Sequence, residues 1–150
     1  MIYNQEVVMN RIPLIVLCLL TFTALPLTAP FVHGYSQQDL DQLKSTKQCQ
    51  ACDLSNAPLA NTTLTGANLE RANLLSANMS GANISGANLS GANCMNASLN
   101  GARLFNTNMK SANLTGANLT GAYLSGADLS LAVWTDGTIC KEGSIGTCKK

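Results

Sequence analysis

Larger apolar residues recur at every fifth position between residues 52 and 134. They fall at Leu54, Leu59, Leu64, Leu69, Leu74, Met79, Ile84, Leu89, Cys94, Leu99, Leu104, Met109, Leu114, Leu119, Leu124, Leu129 and Trp134, and the register never slips. Two positions before each of these seventeen centres stands Ala in fourteen cases, with Cys52, Thr62 and Thr107 the exceptions. The residue between is mostly Asn, and the pair after the centre is mostly Ser or Thr and then, often, Gly. A helix cannot use this period: five residues advance about 500° around a helical axis, so successive centres would step by about 140° and leave no apolar face. In an extended chain residues two apart share a face, which turns the Ala and the centre inward and the Asn outward. The Ser/Thr-Gly pair supplies corner chemistry, because Gly tolerates positive φ and a hydroxyl can bond nearby backbone. Each pentad is therefore an inward-facing edge plus a corner.

The blocks Ala67-Asn68-Leu69, Ala87-Asn88-Leu89-Ser90-Gly91 and Ala117-Asn118-Leu119-Thr120-Gly121 resemble the pentapeptide-repeat family. The resemblance spans residues 52–134 and implies an all-β fold, a right-handed quadrilateral β-helix of about four coils, in which the centres stack as an inner ladder. With four sides, centres twenty residues apart share a column: Leu54, Leu74, Cys94, Leu114 and Trp134 form one, and Leu64, Ile84, Leu104 and Leu124 form the opposite one. Some members of that family mimic DNA and act on topoisomerases, which takes a strongly acidic surface in the cytoplasm.

Outside the repeat the pattern changes. Residues 12–32 are uncharged and mostly apolar and follow Arg11, which reads as a signal peptide over 1–34 with the mature start near Tyr35. Pro13, Pro26 and Pro30 argue against an uncleaved span, and Cys18 would be discarded with the segment. Residues 35–48 form a capping helix and linker: Ser36 is placed to cap it, Asp39 follows at the capping-box position, and Leu40 and Leu43 share one side that would cover the open end of the first coil. The β-helix proper is assigned to 49–134 and a C-terminal cap to 135–150. The chain is thus expected to be exported, to the periplasm, the exterior or a thylakoid lumen.

Five cysteines remain after Cys18. Cys140 and Cys148 bracket a glycine-containing loop just past the last coil, where a disulfide is expected in an oxidising compartment. Cys49 and Cys52 form a CxxC with three readings: a structural disulfide stapling the start of the first coil, a pair of reduced thiols, or a redox or metal site. Against the last, no βαβ scaffold is present, and Cys140 and Cys148 lie roughly 20 Å away across about four coils. Cys94 occupies a centre and reads as a small buried hydrophobe.

Charge then narrows the function. The net charge is +1, and the charges within the repeat (Asp53, Glu70, Arg71, Arg103, Lys110 and Asp128) build neither an acidic nor a basic face. That disfavours nucleic acid as a partner and the DNA-mimic role with it. No catalytic group, cofactor or metal site is suggested by spacing, and the lone His33 falls in the signal. Departures from the phrase stand out instead. Arg103 and Tyr123 precede centres twenty apart, with Phe105 close by, and make a candidate interaction patch, while Leu75 and Met95 stack on the opposite face. The expected function is a non-enzymatic exported scaffold or protein-interaction module; the alternatives are a topoisomerase-interacting DNA mimic and a thiol redox protein. The partner is expected to be a protein, with no membrane after signal cleavage, and a coil end is a candidate contact for a second copy.

Overall fold

The computed structural model describes residues 34–150. The export segment expected over 1–34, with Arg11, Cys18 and His33, lies outside the described residues apart from Gly34.

Helix α1 spans Gln37–Thr46. Ser36 caps it, with its Oγ accepting from the Asp39 N–H at 3.2 Å. The return half of a capping box is absent, because the Asp39 carboxylate is spent elsewhere: it accepts the Asp53 N–H at 2.8 Å, while the Ser36 N–H donates to the Asp53 carbonyl at 2.9 Å. Both contacts lash the helix start to the first coil. The helix ends on Lys47, left-handed at φ 57, whose N–H returns to the Leu43 carbonyl. Leu40 and Leu43 are buried against the coil interior, and Leu59 and Leu64 of the first coil are buried with them.

Beyond α1 the chain winds through fourteen parallel bridges, each joining residues twenty apart, from Gln48↔Asn68 to Asn113↔Val133. Four pentads therefore make one coil. The β content is carried by isolated bridges rather than by extended strands, since each side is one paired residue long before the chain turns. The bond pattern follows from the period. A centre N–H donates to the carbonyl nineteen residues on (Leu89 to Asn108, 2.7 Å), and the corner N–H does the same (Gly91 to Lys110, 2.8 Å). The residue before the centre donates back to the carbonyl twenty-one residues earlier (Asn88 to Ala67, 2.9 Å). Pro58 holds this last position in the first coil, where no preceding coil offers an acceptor, so its missing N–H costs nothing.

Corners are closed by a bond from the N–H three residues after each centre to that centre's carbonyl, as in Ala97 to Cys94 at 3.1 Å. The residue two after the centre is left-handed at every corner from Ala51 to Leu131, whether or not it is Gly. Non-glycine occupants such as Arg71 (φ 55) and Leu131 (φ 59) adopt a conformation that costs roughly 1–2 kcal/mol, and the stacked coils hold them there.

The interior is the predicted ladder with three differences. The ladder begins one pentad early, at Cys49, fully buried and bonded to the Asn68 carbonyl like any other centre; Lys47 two positions before it hides the pentad in the sequence. Thr107, at an inward Ala position, is buried with its hydroxyl donating to the Ile84 carbonyl at 3.0 Å. Finally, Leu119, Leu124 and Trp134 are only partly buried, because no further coil lies over them.

Residues 135–150 cap part of the last coil. Two antiparallel bridges, Asp128↔Ile145 and Val133↔Ile139, seat this segment on the pentads centred on Leu129 and Trp134. The Ser144 carbonyl accepts from Leu129, Cys140 from Leu131 and Thr138 from Trp134. Gly146 passes close over the Leu124–Gly126 corner, but among the described residues the cap makes no hydrogen bond to the pentads centred on Leu119 and Leu124.

Candidate functional site

The outward position before each centre is not free surface. At eleven pentads the side-chain oxygen of the Asn or Asp there accepts the backbone N–H two residues on, from Asp53–Ser55 at 3.2 Å to Asp128–Ser130 at 3.0 Å. The amide end of several donates to the residue one coil below: Asn73 to Asp53, Asn93 to Asn73, and Asn108 to Asn88. Asn is therefore favoured by the coil, since its short side chain offers an acceptor for its own corner and a donor for its neighbour. Sequence pattern showed only that Asn points outward and missed this use of it.

The ladder lapses at Pro58, Ser98 and Val133 on other sides, and most often on the side whose outward residues run Thr63, Asn83, Arg103, Tyr123, where the last two are bridge partners on adjacent coils. Phe105 lies 5.6 Å from Tyr123 between ring centroids, the planes tilted by 31°. Tyr123 is 55% exposed and Phe105 37%, and Arg103 is exposed and without an ion pair among the described residues. The structure thus brings the three predicted patch residues together. Leu75 and Met95, on the opposite face, are half-buried.

The charged residues group more than their spacing in sequence suggests. Glu70, Arg71, Ser90, Gly91, Lys110 and Ser111 line a shallow cleft of about 260 Å³, and Lys110 pairs with Asp128 at 3.4 Å. The same count of twenty that aligned the centres would have found it, since Glu70, Ser90, Lys110 and Ser130 share one column. Its charges are of mixed sign. Burial alone would raise the Asp128 carboxyl, but the Ser130 side chain and amide and the Lys110 ammonium more than offset it and hold it below the usual carboxylate range.

Cys49 and Cys52 are joined in a disulfide, as are Cys140 and Cys148. Cys49 is a centre and Cys52 the inward residue of the next pentad, so the bond crosses the first corner from inside, with both sulfur-bearing residues buried. Cys140 is buried as well. Buried sulfurs offer no line of approach to an incoming thiolate, which weighs against exchange chemistry at the CxxC. Cys94 is a buried free thiol, and desolvation pushes it up to about 12.

A stack of pentads whose inward residues, corners and Asn ladders are all consumed by folding defines a solenoid scaffold. The model of pentapeptide repeats matches residues 52–91 and 92–130 in eight copies, and the chain belongs to the pentapeptide-repeat family. Among solved structures it is similar to a pentapeptide repeat protein of Nostoc Pcc 7120, alr5209, at 35% identity over 62% of this chain and 78% of that one, with a TM-score of 0.57. It is also similar to HetL of Nostoc sp. Strain PCC 7120, a pentapeptide repeat protein involved in heterocyst differentiation regulation, at 33% identity over 61% of this chain and 51% of that one, with a TM-score of 0.35. A pentapeptide repeat protein from the Arabidopsis thaliana thylakoid lumen matches at 26% identity over 60% of this chain and 70% of that one, with a TM-score of 0.23. The search of curated proteins found no match.

Proposed function

We propose that the chain is an exported, non-enzymatic interaction module, a right-handed four-sided coil that offers its Arg103–Phe105–Tyr123 face to a protein partner. The observation that carries the reading is the break in the Asn ladder at Arg103 and Tyr123. Several other departures serve the coil or cost it nothing: Thr107 bonds inside it, Pro58 falls where no N–H is needed, and Cys52 staples its start, while Thr63, Ser98 and Val133 expose neither a charge nor an aromatic ring. Arg103 and Tyr123 give up the corner-capping side chain and expose a cation and an aromatic pair instead. Arg and Tyr are residues that concentrate binding energy at protein interfaces. The apolar stretch at 12–32 and the two disulfides support an oxidising destination.

Two measurements test this. Affinity capture from the extracytoplasmic fraction of the native host, comparing wild type with Arg103→Ala/Tyr123→Ala, should lose a partner in the variant, and an unchanged set would discard the face. Mass spectrometry of the mature chain should find its first residue near Tyr35; an intact N-terminus on cytoplasmic protein would contradict export.

A further inference from the structure

We propose that the half of the last coil whose backbone the cap leaves unpaired, at the pentads centred on Leu119 and Leu124, is a docking edge for an acidic segment of a partner protein that adds its backbone to the coil. This deepens the reading above and rests on it.

Two independent observations meet there. In the lower coils the pairing is complete: Leu99 N–H donates to the Asn118 carbonyl at 2.8 Å, Gly101 to Thr120 at 2.9 Å, and the Ala97 carbonyl accepts from Asn118 at 2.9 Å. On the capped half of the last coil the C-terminal segment supplies substitutes. On the other half, the Leu119, Gly121 and Leu124 N–H groups and the Ala117 and Ala122 carbonyls have no partner among the described residues. Below them the floor is apolar and only partly covered, formed by Leu119, Ala122 and Leu124, whereas Leu99 and Leu104 in the same columns are fully buried. The second observation is the patch. Tyr123 stands on this same edge, in contact with Phe105, and Arg103 lies one coil below with no counter-ion among the described residues.

The free Ala117 and Ala122 carbonyls and the free Leu119, Gly121 and Leu124 N–H groups, set over a partly covered apolar floor, are matched by another backbone that follows the same edges and corner, the mode of β-strand addition. Free donors outnumber acceptors, and Arg103 adds a positive charge, so the segment that fits brings carbonyls and a carboxylate. A small apolar side chain fits over Ala122 between the two leucines. A second copy stacked head to tail does not fit, because the end of the coil with the complementary carbonyls is closed by α1, whose Leu40 and Leu43 seal it. Two C-terminal ends set face to face would pair the Leu119 N–H with the other copy's Ala117 carbonyl, an arrangement that sedimentation detects.

The probe is a synthetic peptide of two repeats of Ala-Asp-Leu-Ser-Gly, beside one with Lys in place of Asp, titrated into the isotope-labelled full chain. The expected result is that the Leu119, Gly121 and Leu124 amides shift and gain exchange protection with the Asp peptide. Arg103→Glu should weaken the Asp peptide by about tenfold and leave the Lys peptide no weaker. Three results overturn the proposal: these amides unmoved by either peptide, equal binding of both peptides to wild type and Arg103→Glu, or a sedimenting dimer in which the same amides are already protected without peptide. Loss of peptide docking with capture still dependent on Arg103 and Tyr123 removes the edge alone. Docking without such capture removes the broader reading instead.

Discussion

Asn shows at the scale of one residue how completely the repeat is committed to folding. Asn108 caps the Lys110 N–H and also donates to Asn88, whereas Asn118 caps the Thr120 N–H alone. At about 1 kcal/mol per net hydrogen bond, Asn108→Ala should destabilise by about 2 kcal/mol and Asn118→Ala by about 1, read from urea unfolding with an unchanged slope. Equal losses would mean that the coil-to-coil amide bond contributes nothing. Corners carry a second test. Gly116, at φ +69, lies over Asn96, whose side-chain oxygen occupies the place a Cβ would take. Gly116→Ala should cost about 1–2 kcal/mol from left-handed strain, the end of the Asn96 side chain being able to swing aside. A loss near zero in the same unfolding measurement would contradict a left-handed corner at Gly116. The Asn contacts were not legible in the sequence, because alternation reports which way a side chain points and not what it bonds.

Among the elements, the coil was the most legible and the caps the least. A fixed period of five with Ala and Leu two apart dictates edges and corners, and a count of twenty aligns Arg103 with Tyr123 from the sequence alone. The capping Ser36 and the buried pair Leu40 and Leu43 were legible for the same reason, since helix signals are local. The sequence places a cap over 135–150, but residues without a period do not say which sides they pair with, so the bridges to the Leu129 and Trp134 pentads and the partly buried Leu119 and Leu124 were not legible. Cys49 was recognisable as a cysteine but not as a centre, because Lys47 and Gln48 replace the Ala-Asn phrase. The C-terminal cap gives an element-scale prediction. Cys140–Cys148 closes a short loop and should contribute roughly 2.5 kcal/mol in the chain-entropy model. In Cys148→Ser, hydrogen exchange at Leu129 and Leu131, which donate to cap carbonyls, should accelerate well before exchange at Leu89. Uniform acceleration along the coil would show that the cap and the coil open as one unit.

For the whole molecule, stability should fall in acid. Asp53, through the Ser55 side chain and amide, and Asp128, through Ser130 and Lys110 against the opposing effect of burial, are held below the ordinary carboxylate value of 3.8. Depressed folded values stabilise the coil above that pH, and the contribution is lost as pH falls through them. The melting temperature should therefore decline below about pH 4, less steeply in Asp53→Asn, whereas a flat profile down to pH 2 would contradict this. Function at this scale rests on one claim, that the face carrying Arg103, Phe105 and Tyr123 is where a partner meets the coil. Site-specific photo-crosslinking in the native host is the most direct measurement of it, with the probe at Phe105 and, as controls on other faces, at Ser90 and Thr115. The account expects a crosslinked partner from Phe105 and none from the controls. Crosslinks from Ser90 or Thr115 with none from Phe105 would contradict it.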